Sequence, residues 1–159
     1  MLALSFQVGQ ERFALPCRDV VEVVPLLRLR PVPHAPAFVA GIFDYRGAAT
    51  PVVDLSVLVA GRPCPELLST RMMIVRWRGR TLGLVAERVT EAVDVDAAKI
   101  RPPAVKVPDA PYLGGVLLAG DGSGAITQLI AVEHLVTEPV RLLLEGALDE
   151  AAAAEGPDA

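Results

Sequence analysis

The sequence predicts a mainly β fold made of two similar halves, arranged as small barrels or as a sandwich. Apolar and polar residues alternate with a period of two in many short runs, and each run ends at turn-forming residues. Fourteen prolines and thirteen glycines in 159 residues imply short elements and many turns. Segments of the first half also recur in the same order in the second half.

The composition is that of a globular domain. Apolar residues make up 52% of the chain and charged residues 21%, which excludes disorder as its main state. A length of 159 residues fits one domain, or two small subdomains with a common core. The net charge of −4 and the 4% of aromatic residues disfavour a nucleic-acid surface, although a β-barrel nucleic-acid binder remains a second functional class.

The sequence also predicts where the protein works. No apolar run approaches the roughly 20 residues that a membrane-spanning helix needs, and the N-terminus lacks the basic region of a signal peptide. We therefore expect a cytoplasmic protein without direct membrane insertion. Cys17 and Cys64 have neither metal-ligand nor redox-motif spacing, so buried reduced thiols are favoured over a disulfide.

The strands are predicted in order along the chain. In the first run Leu4, Phe6 and Val8 share one face, and a turn at residues 9–12 leads into a second strand. The same criteria indicate further strands in the runs "DVVEVVPLL", "FVAGIFDY", "ATPVVDL", "RMMIVRW", "TLGLVAERV", "AVDV", "GGVLLAGDG" and "AITQLIAV".

Two helices are predicted. Asp54 or Ser56 caps a short helix through "SVLVAG", which ends at Gly61. A C-terminal helix begins near Thr137, and its apolar face consists of Val140, Leu143, Leu144, Ala147 and Leu148. We assign residues 1–148 to one domain and 149–159 to a flexible tail.

The internal repeat is carried by four pairs of segments. "FALPCRDVVEVV" resembles "TLGLVAERVTEAV", "LRPVP" resembles "IRPPA", "AFVAGIF" resembles "PYLGGVL", and "TPVVDLSVLV" resembles "TQLIAVEHLV". We interpret them as two subdomains, roughly 10–68 and 69–136, that bury a shared apolar seam. Whether the N-terminal strand joins the second subdomain is left open, and a common composition of two β-rich halves is the alternative to a repeat.

Residues for catalysis are sparse. His34 and His134 lie in no recognisable nucleophile or metal motif, and "GDGSG" fits a hairpin turn better than a phosphate-binding loop. We expect no enzyme activity, no metal and no cofactor. A small enzyme with an unrecognised site is the third functional class, and it would need a deep pocket that holds one histidine beside a carboxylate.

Two arginine-bearing turns remain. "RWRGR", with Arg76, Trp77, Arg78 and Arg80, is interpreted as a solvated hairpin tip, with contact to an acidic partner as the alternative. "DYRGAA" places Arg46 on a tip whose counterpart in the second half, "AGDGSGA", has no arginine, so the fold does not require it. Either Arg46 meets a partner carboxylate, or it forms an internal salt bridge with Glu22 or Asp54, candidate acceptors from the sequence alone.

The chain resembles the CheW-like domain family of bacterial chemotaxis coupling proteins, from about Leu4 to Val136. The pattern G-[VIF]-x-[ND]-[LY]-R-G-x-x-x-P-[VI]-[VI]-D-L fits residues 41–55 without a gap. The segments "FALPCRDVVEVV", "PHAPAFVAG", "GLVAERVTEAV" and "IRPP" follow the order of the family. The chain departs from the family pattern at Ala86-Glu87, where Val-Asp is frequent, and at Asp44-Tyr45, where Asn-Leu is commoner.

The resemblance implies two small five-stranded SH3-like barrels and no catalysis. It implies an adaptor that binds the regulatory domain of a histidine kinase and the cytoplasmic tip of chemoreceptors. The matched positions make Arg46, Glu22 and Gly41 partner-binding candidates, with Gly47 and Asp44 shaping the tip. Flagellar chemotaxis and a chemosensory system with another output are both compatible with it.

Overall fold

A computed structural model describes residues 1–90, 92–103 and 105–136, which form ten strands and one short α-helix. The strands are β1 Leu2–Val8, β2 Glu11–Pro16, β3 Val20–Pro25, β4 Val39–Tyr45, β5 Ala48–Asp54, β6 Arg71–Trp77, β7 Arg80–Ala86, β8 Ala92–Asp94, β9 Leu113–Leu118 and β10 Ile126–Ile130. The helix is α1 Leu55–Ala60, and short 3-10 turns cover Cys17–Asp19, Ala97–Lys99 and Val132–His134. The predicted C-terminal helix and tail lie outside the described residues.

The strands form two five-stranded sheets with one common topology. The first sheet has the order β3-β6-β7-β5-β4, and the second has the order β8-β1-β2-β10-β9. In each sheet one central pair is parallel, β5 with β7 and β2 with β10, while the other pairs are antiparallel. The predicted mainly β fold with two five-stranded units is confirmed. We call the two units the first barrel (β3–β7) and the second barrel (β1, β2 and β8–β10).

The two barrels are closed by the same backbone contact. The loop after β3 returns to β4, where the amide of Arg30 donates to the Ile42 carbonyl at 2.9 Å and the amide of Ile42 donates back at 2.8 Å. In the second barrel Arg101 and Val116 exchange the same pair of hydrogen bonds, at 2.9 and 2.8 Å. The segments that pair are the ones that the sequence repeat had aligned. Segments that are similar in sequence therefore also occupy equivalent positions in the two barrels.

The strands are distributed differently from the predicted ranges 10–68 and 69–136. β2 belongs to the second barrel, and β6 and β7 belong to the first, while β1 lies in the second barrel. The reason is that each barrel takes its central hairpin from the other half of the sequence repeat. Sequence similarity shows which segments are alike, whereas the pairing of strands depends on which apolar faces meet across the core.

The seam between the barrels is the largest apolar cluster. β1, β2, β6 and β7 contribute Phe6, Leu15, Met73 and Leu84, each at most 1% exposed. The opposite faces of the same strands point into the barrels, so that Met72 lies in the first barrel and Ala14 in the second. Burial on both faces explains the unbroken apolar run "MMIV" in β6, since a half-buried strand would alternate. The predicted shared seam is present.

The short helix after β5 is held by its first residue. The Asp54 side chain accepts hydrogen bonds from the amides of Ser56 at 2.9 Å and Val57 at 3.3 Å, which identifies Asp54 as the N-cap. Its second oxygen accepts from the Cys64 amide at 3.0 Å. Gly61 ends the helix in the left-handed conformation, with φ of 71°, as predicted. Among the described residues, no helix is long and apolar enough to cross a membrane.

Candidate docking surface

The candidate site is the tip of the β4–β5 hairpin, in the first barrel. Tyr45 and Ala48 are paired in the register, so the turn contains two residues, Arg46 and Gly47. Both have positive φ, 50° and 84°. This is the turn geometry whose twist matches that of an antiparallel hairpin. The Asp44 carboxylate accepts a hydrogen bond from the Gly47 amide at 2.8 Å and braces the turn.

Arg46 is both paired and accessible. Its Nη2 donates to Oε2 of Glu22 at 3.0 Å, and its guanidinium lies 5.2 Å from the centre of the Tyr45 ring. The side chain is nevertheless 69% exposed, and that of Glu22 is 36% exposed. An exposed ion pair contributes about 0–1 kcal/mol to stability, so the pair orients the guanidinium more than it stabilises the fold. The face of the guanidinium fork toward solvent is open to a further carboxylate.

The structure decides between the two acceptors that the sequence offered. Glu22 pairs with Arg46, whereas the carboxylate of Asp54 is occupied by the backbone amides at the start of α1. β3 and β4 are the two outer strands of the first sheet. Glu22 on β3 and Arg46 at the end of β4 therefore meet only because the sheet closes. No spacing in the sequence indicates this contact.

The Tyr45 ring lies against the Arg46 guanidinium. The residue is 9% exposed, and its hydroxyl oxygen has no hydrogen-bond partner among the described residues. Burial raises the pKa of the Tyr45 hydroxyl above its ordinary value, and the neighbouring Glu22 carboxylate raises it further, while the Arg46 charge acts in the opposite direction. The side chain thus stays neutral at physiological pH and presents its ring to the guanidinium.

Gly41 has a role in the fold that the sequence did not reveal. A Cβ atom there would lie 2.6 Å from the Arg30 carbonyl oxygen, and φ is 151°. At Gly115, the matched position in the second barrel, a Cβ atom would lie 2.7 Å from the Arg101 carbonyl oxygen. Both glycines let the closing loop approach the strand. A partner-binding role for Gly41 stays a prediction, and this geometry makes any such role indirect.

The corresponding tip of the second barrel has different chemistry. Gly120, Gly122 and Gly124 all have positive φ, and the Asp121 carboxylate accepts a hydrogen bond from the Ser123 amide at 2.9 Å. The Ser123 side chain, and then this hydrogen bond from its amide, hold the pKa of the Asp121 carboxyl below its ordinary value. The strands that flank this tip end in an exposed apolar cross-strand pair, Leu118 (64% exposed) and Ile126 (52% exposed).

The histidines are not assembled into a site. His34 is exposed in a loop, and His134 is an exposed side chain 3.6 Å from the Glu133 carboxylate. Within the ranges 1–90, 92–103 and 105–136, no three His, Cys, Asp or Glu side chains are grouped so as to hold a metal ion.

The sequence contained one signal that its interpretation missed. An aromatic residue, an arginine and a glycine occur together twice, as Tyr45-Arg46-Gly47 and as Trp77-Arg78-Gly79. The structure shows that the second tripeptide forms the same kind of turn between β6 and β7, with φ of 48° at Arg78 and 76° at Gly79. The two tips are thus equivalent in local geometry.

Comparison with known proteins identifies relatives over most of the chain. The model of the CheW-like domain matches residues 2–140. A chemotaxis protein CheW of Rhizobium meliloti is 28% identical over 99 residues, which cover 62% of this chain and 64% of that protein. A chemotaxis protein CheW of Helicobacter pylori is 28% identical over 99 residues, which cover 62% of this chain and 60% of that protein. The matches thus span less than two thirds of either relative.

Two further comparisons cover more of the chain. Protein FrzA of Myxococcus xanthus is 30% identical over 125 residues, which are 78% of each chain. The crystal structure of the scaffolding protein TtCheW from Thermoanaerobacter tengcongensis superposes with a TM-score of 0.74 at 27% identity, and covers 86% of this chain and 87% of that one.

Proposed function

This chain belongs to the CheW-like domain family, and from that premise we propose that it is a cytoplasmic, non-enzymatic adaptor that couples chemoreceptors to a chemotaxis-type histidine kinase. Its partners are the regulatory domain of the kinase and the cytoplasmic tip of the receptors. The names of the relatives as chemotaxis and scaffolding proteins support the proposal. Neither a metal nor a cofactor is needed for such a role.

One observation carries the proposal. Arg46 is an exposed arginine on a two-residue turn, held by a single side-chain hydrogen bond, in a barrel whose twin folds without it. A side chain that the topology does not require is available for recognition. Arginine is enriched at binding hot spots because its planar fork can bind a carboxylate with two hydrogen bonds.

The Glu22 carboxylate positions the arginine before a partner arrives. A guanidinium that is already oriented loses less conformational freedom on binding than a free one. Asp44 and Gly47 act in the same way through the turn, since they fix the backbone that bears Arg46. We infer that these residues form one docking unit, in which Arg46 makes the contact and the others set its direction.

The test is a titration of the kinase regulatory domain with the parent chain and with Arg46→Glu. Loss of a charge-assisted contact and gain of a repelling charge should weaken binding by about tenfold to a hundredfold. The matched control is Arg88→Glu, since Arg88 is also exposed with a positive φ of 49°. We expect this control to bind like the parent.

The fold must be measured in the same variants. Circular dichroism and the midpoint of urea unfolding of Arg46→Glu should match those of the parent. If Arg46→Glu unfolds the protein, Arg46 is structural and the site assignment fails. If the variant stays folded and binds with unchanged affinity, the docking role of the tip is refuted.

A further inference from the structure

Glu87 is a buried carboxylate at a point where the two barrels meet. It directly follows β7, and only 8% of the residue is exposed. Glu87 lies outside the candidate docking surface, and the proposed function gives it no role. Since the burial of a carboxylate is costly unless the group is hydrogen-bonded, its partners indicate what it does.

Glu87 holds the tip of the β1–β2 hairpin through its backbone and its side chain. Its carbonyl oxygen accepts from the Gln7 amide at 2.8 Å, and its own amide donates to the Gln7 carbonyl oxygen at 3.1 Å. Its carboxylate Oε2 accepts from the Gly9 amide at 2.8 Å. Gly9 has a φ of 59° and begins the hairpin turn, since Val8 pairs with Glu11 in the register. Three hydrogen bonds thus join a hairpin of the second barrel to the residue that follows the last strand of the first.

The chain crosses between the barrels twice, and the two crossovers differ. It crosses at Glu87 between β7 and β8, and at Arg18, the matched position in the repeat, between β2 and β3. At Arg18 the contact is exposed, since Arg76 Nη1 donates to the Arg18 carbonyl oxygen at 3.0 Å. A cleft of about 390 Å³ lies beside that contact. We call the crossover at Gln7, Gly9 and Glu87 the closed crossover, and the one at Arg18 and Arg76 the open crossover.

The backbone of the closed crossover is held in an unusual conformation. Arg88, the residue after Glu87, has a φ of 49°, which side chains other than glycine rarely adopt. Such a conformation persists where the surrounding structure fixes it. The Arg88 side chain is exposed, so the neighbouring contacts hold its backbone. Arg62 also reaches the clamped turn, since its Nη2 lies 3.7 Å from the point that a Cβ atom on Gly9 would occupy.

The closed crossover supplies what the apolar seam lacks. The seam consists of side chains such as Phe6, Leu15 and Leu84, and the hydrophobic effect that buries them is not directional. Hydrogen bonds, in contrast, depend on angle as well as distance. Buried polar groups can therefore select one arrangement among several that an apolar surface would allow. A buried carboxylate that reaches from one barrel to the other is suited to fix how the barrels sit together.

We propose that Glu87 is an orientation clamp between the barrels. Its carboxylate holds the Gly9 amide and its backbone holds Gln7, and together these contacts fix the angle between the first and the second barrel. Surfaces on the two barrels, including the Arg46 tip, are then presented in one relative direction. The clamp is a property of the free protein, so it does not rest on the proposed function.

Amide hydrogen exchange of the unmodified protein, followed by NMR, is the first test. An exposed turn amide exchanges quickly, whereas a clamped amide exchanges only when the clamp opens. The slow reference is the Leu84 amide, because β7 is paired on both sides. The fast reference is the Gly122 amide, in the exposed tip of the second barrel. We expect the Gly9 amide to exchange within about tenfold of Leu84. Exchange as fast as that of Gly122 would overturn the proposal without any variant.

Glu87→Ala tests the side chain. The Gly9 amide loses its acceptor in this variant, so the decisive amide is that of Gln7, whose acceptor is the backbone carbonyl of residue 87 and is still present. We expect exchange of the Gln7 amide to accelerate at least about tenfold more than that of Leu84, because the crossover opens without global unfolding. Equal acceleration at Gln7 and Leu84 would mean that Glu87 only adds to global stability, and would refute the clamp.

Two matched variants accompany Glu87→Ala. Glu87→Gln keeps a side-chain oxygen that can accept from the Gly9 amide, so it should restore most of the protection of Gln7. Arg76→Ala removes the side-chain hydrogen bond of the open crossover and should leave Gln7 exchange unchanged. If Arg76→Ala accelerates Gln7 exchange as much as Glu87→Ala does, the effect is a general loosening of the barrels and the role of Glu87 is not specific.

Residual dipolar couplings measure the angle itself. In the parent protein one alignment tensor should fit the backbone amides of both barrels, since they keep one relative orientation. In Glu87→Ala the tensors fitted separately to the two barrels should differ in magnitude or direction, while each barrel still fits its own structure. A single tensor for both barrels in Glu87→Ala would show that the apolar seam alone fixes the angle, and the proposal would be wrong.

Discussion

The two barrels of this protein share one topology but differ at their hairpin tips. They share the strand order, the parallel central pair, the closing contact of Arg30 or Arg101, and the glycine that admits it. They differ at the tips of two matched hairpins, β4–β5 and β9–β10, where the first has an oriented arginine and the second a glycine-rich turn with apolar flanks. The common features are those that a closed five-stranded sheet needs. The unshared features are therefore the ones to associate with recognition.

A second difference lies just after β5 and β10, the matched strands of the two barrels. Asp54 caps the six-residue helix α1, whereas Ala131, at the matched position, has no side chain that can cap the 3-10 turn that follows. The first barrel thus has a helix packed on its end, and the second has a single turn. The Asp54 side chain favours the helix in the first barrel, because an N-cap satisfies amides that helix formation leaves without partners.

The largest expected effect tests whether the barrels are one folding unit. Leu84 and Leu15 are matched in the repeat, are completely buried and meet in the seam. We expect Leu84→Ala and Leu15→Ala each to lower the free energy of unfolding by about 2–5 kcal/mol in a single urea transition. Leu68→Ala, at a 96% exposed side chain, is the control and should change little. Two separate transitions would show that the barrels fold independently.

The next effect concerns the matched glycines. Gly41→Ala and Gly115→Ala both place a methyl group against a backbone carbonyl, and we expect each to lose about 1–3 kcal/mol of stability. Thermal unfolding of both variants measures the loss. If Gly41→Ala keeps the parent's stability but fails to bind the kinase regulatory domain, then Gly41 is a docking residue and not a closing one.

A smaller and pH-dependent effect is expected from the Asp54 cap, which the first barrel has and the second lacks. Asp54→Asn should cost about 1 kcal/mol because carboxylate contacts with three amides become weaker. Burial, and then the Asp54 charge, raise the pKa of the Cys64 thiol from 9.0 to about 12. The variant should therefore lower the pKa of Cys64, and iodoacetamide should react with it faster near pH 9 than in the parent.

The sign of the stability change follows from the same pKa. A folded-state thiol pKa above the unfolded value stabilises the protein fully below pH 9.0, and this contribution is lost as the pH rises toward about 12. Urea unfolding between these limits should show a decline that is shallower in Asp54→Asn. An equal decline in the two proteins would show that the Asp54 charge does not act on Cys64.

The smallest expected effect is on the stability of the docking tip itself. Arg46→Ala and Glu22→Gln should each change the free energy of unfolding by less than about 1 kcal/mol, since the pair is exposed. Urea unfolding of both variants and of the double variant measures the coupling. A loss of stability as large as that of Gly41→Ala would mean that the first barrel, unlike the second, needs an ion pair to close. The two barrels would then not share one way of closing.

Local features of the fold could be predicted from the sequence, because they depend on residues that are close in the chain. Alternation gave the strands, the order of similar segments gave the repeat, and Asp54 and Gly61 marked the ends of α1. The exchange of hairpins could not be predicted. β7 pairs with β5 and β2 with β10 across distances that no local pattern records.

The candidate site divides in the same way. The motif "DYRG" predicts both the turn at Arg46 and Gly47 and the exposure of the arginine side chain. Its contact with Glu22 arises only when the outer strands of the sheet meet, and the close approach at Gly41 arises from a loop that packs across β4. The cleft beside "RWRGR" is lined by residues of both barrels, so this segment alone could not predict it.

The exchange of hairpins also sets the order in which the protein can be completed during synthesis. The first barrel is continuous from residue 20 to residue 86, so its sheet can close while later residues are still being translated. The hairpin of β1 and β2 leaves the ribosome before the first barrel does, yet its barrel partner β10 ends only at Ile130. The nascent chain must therefore keep Phe6, Phe13 and Leu15 shielded for most of translation. The seam of the finished first barrel is the surface available to shield them.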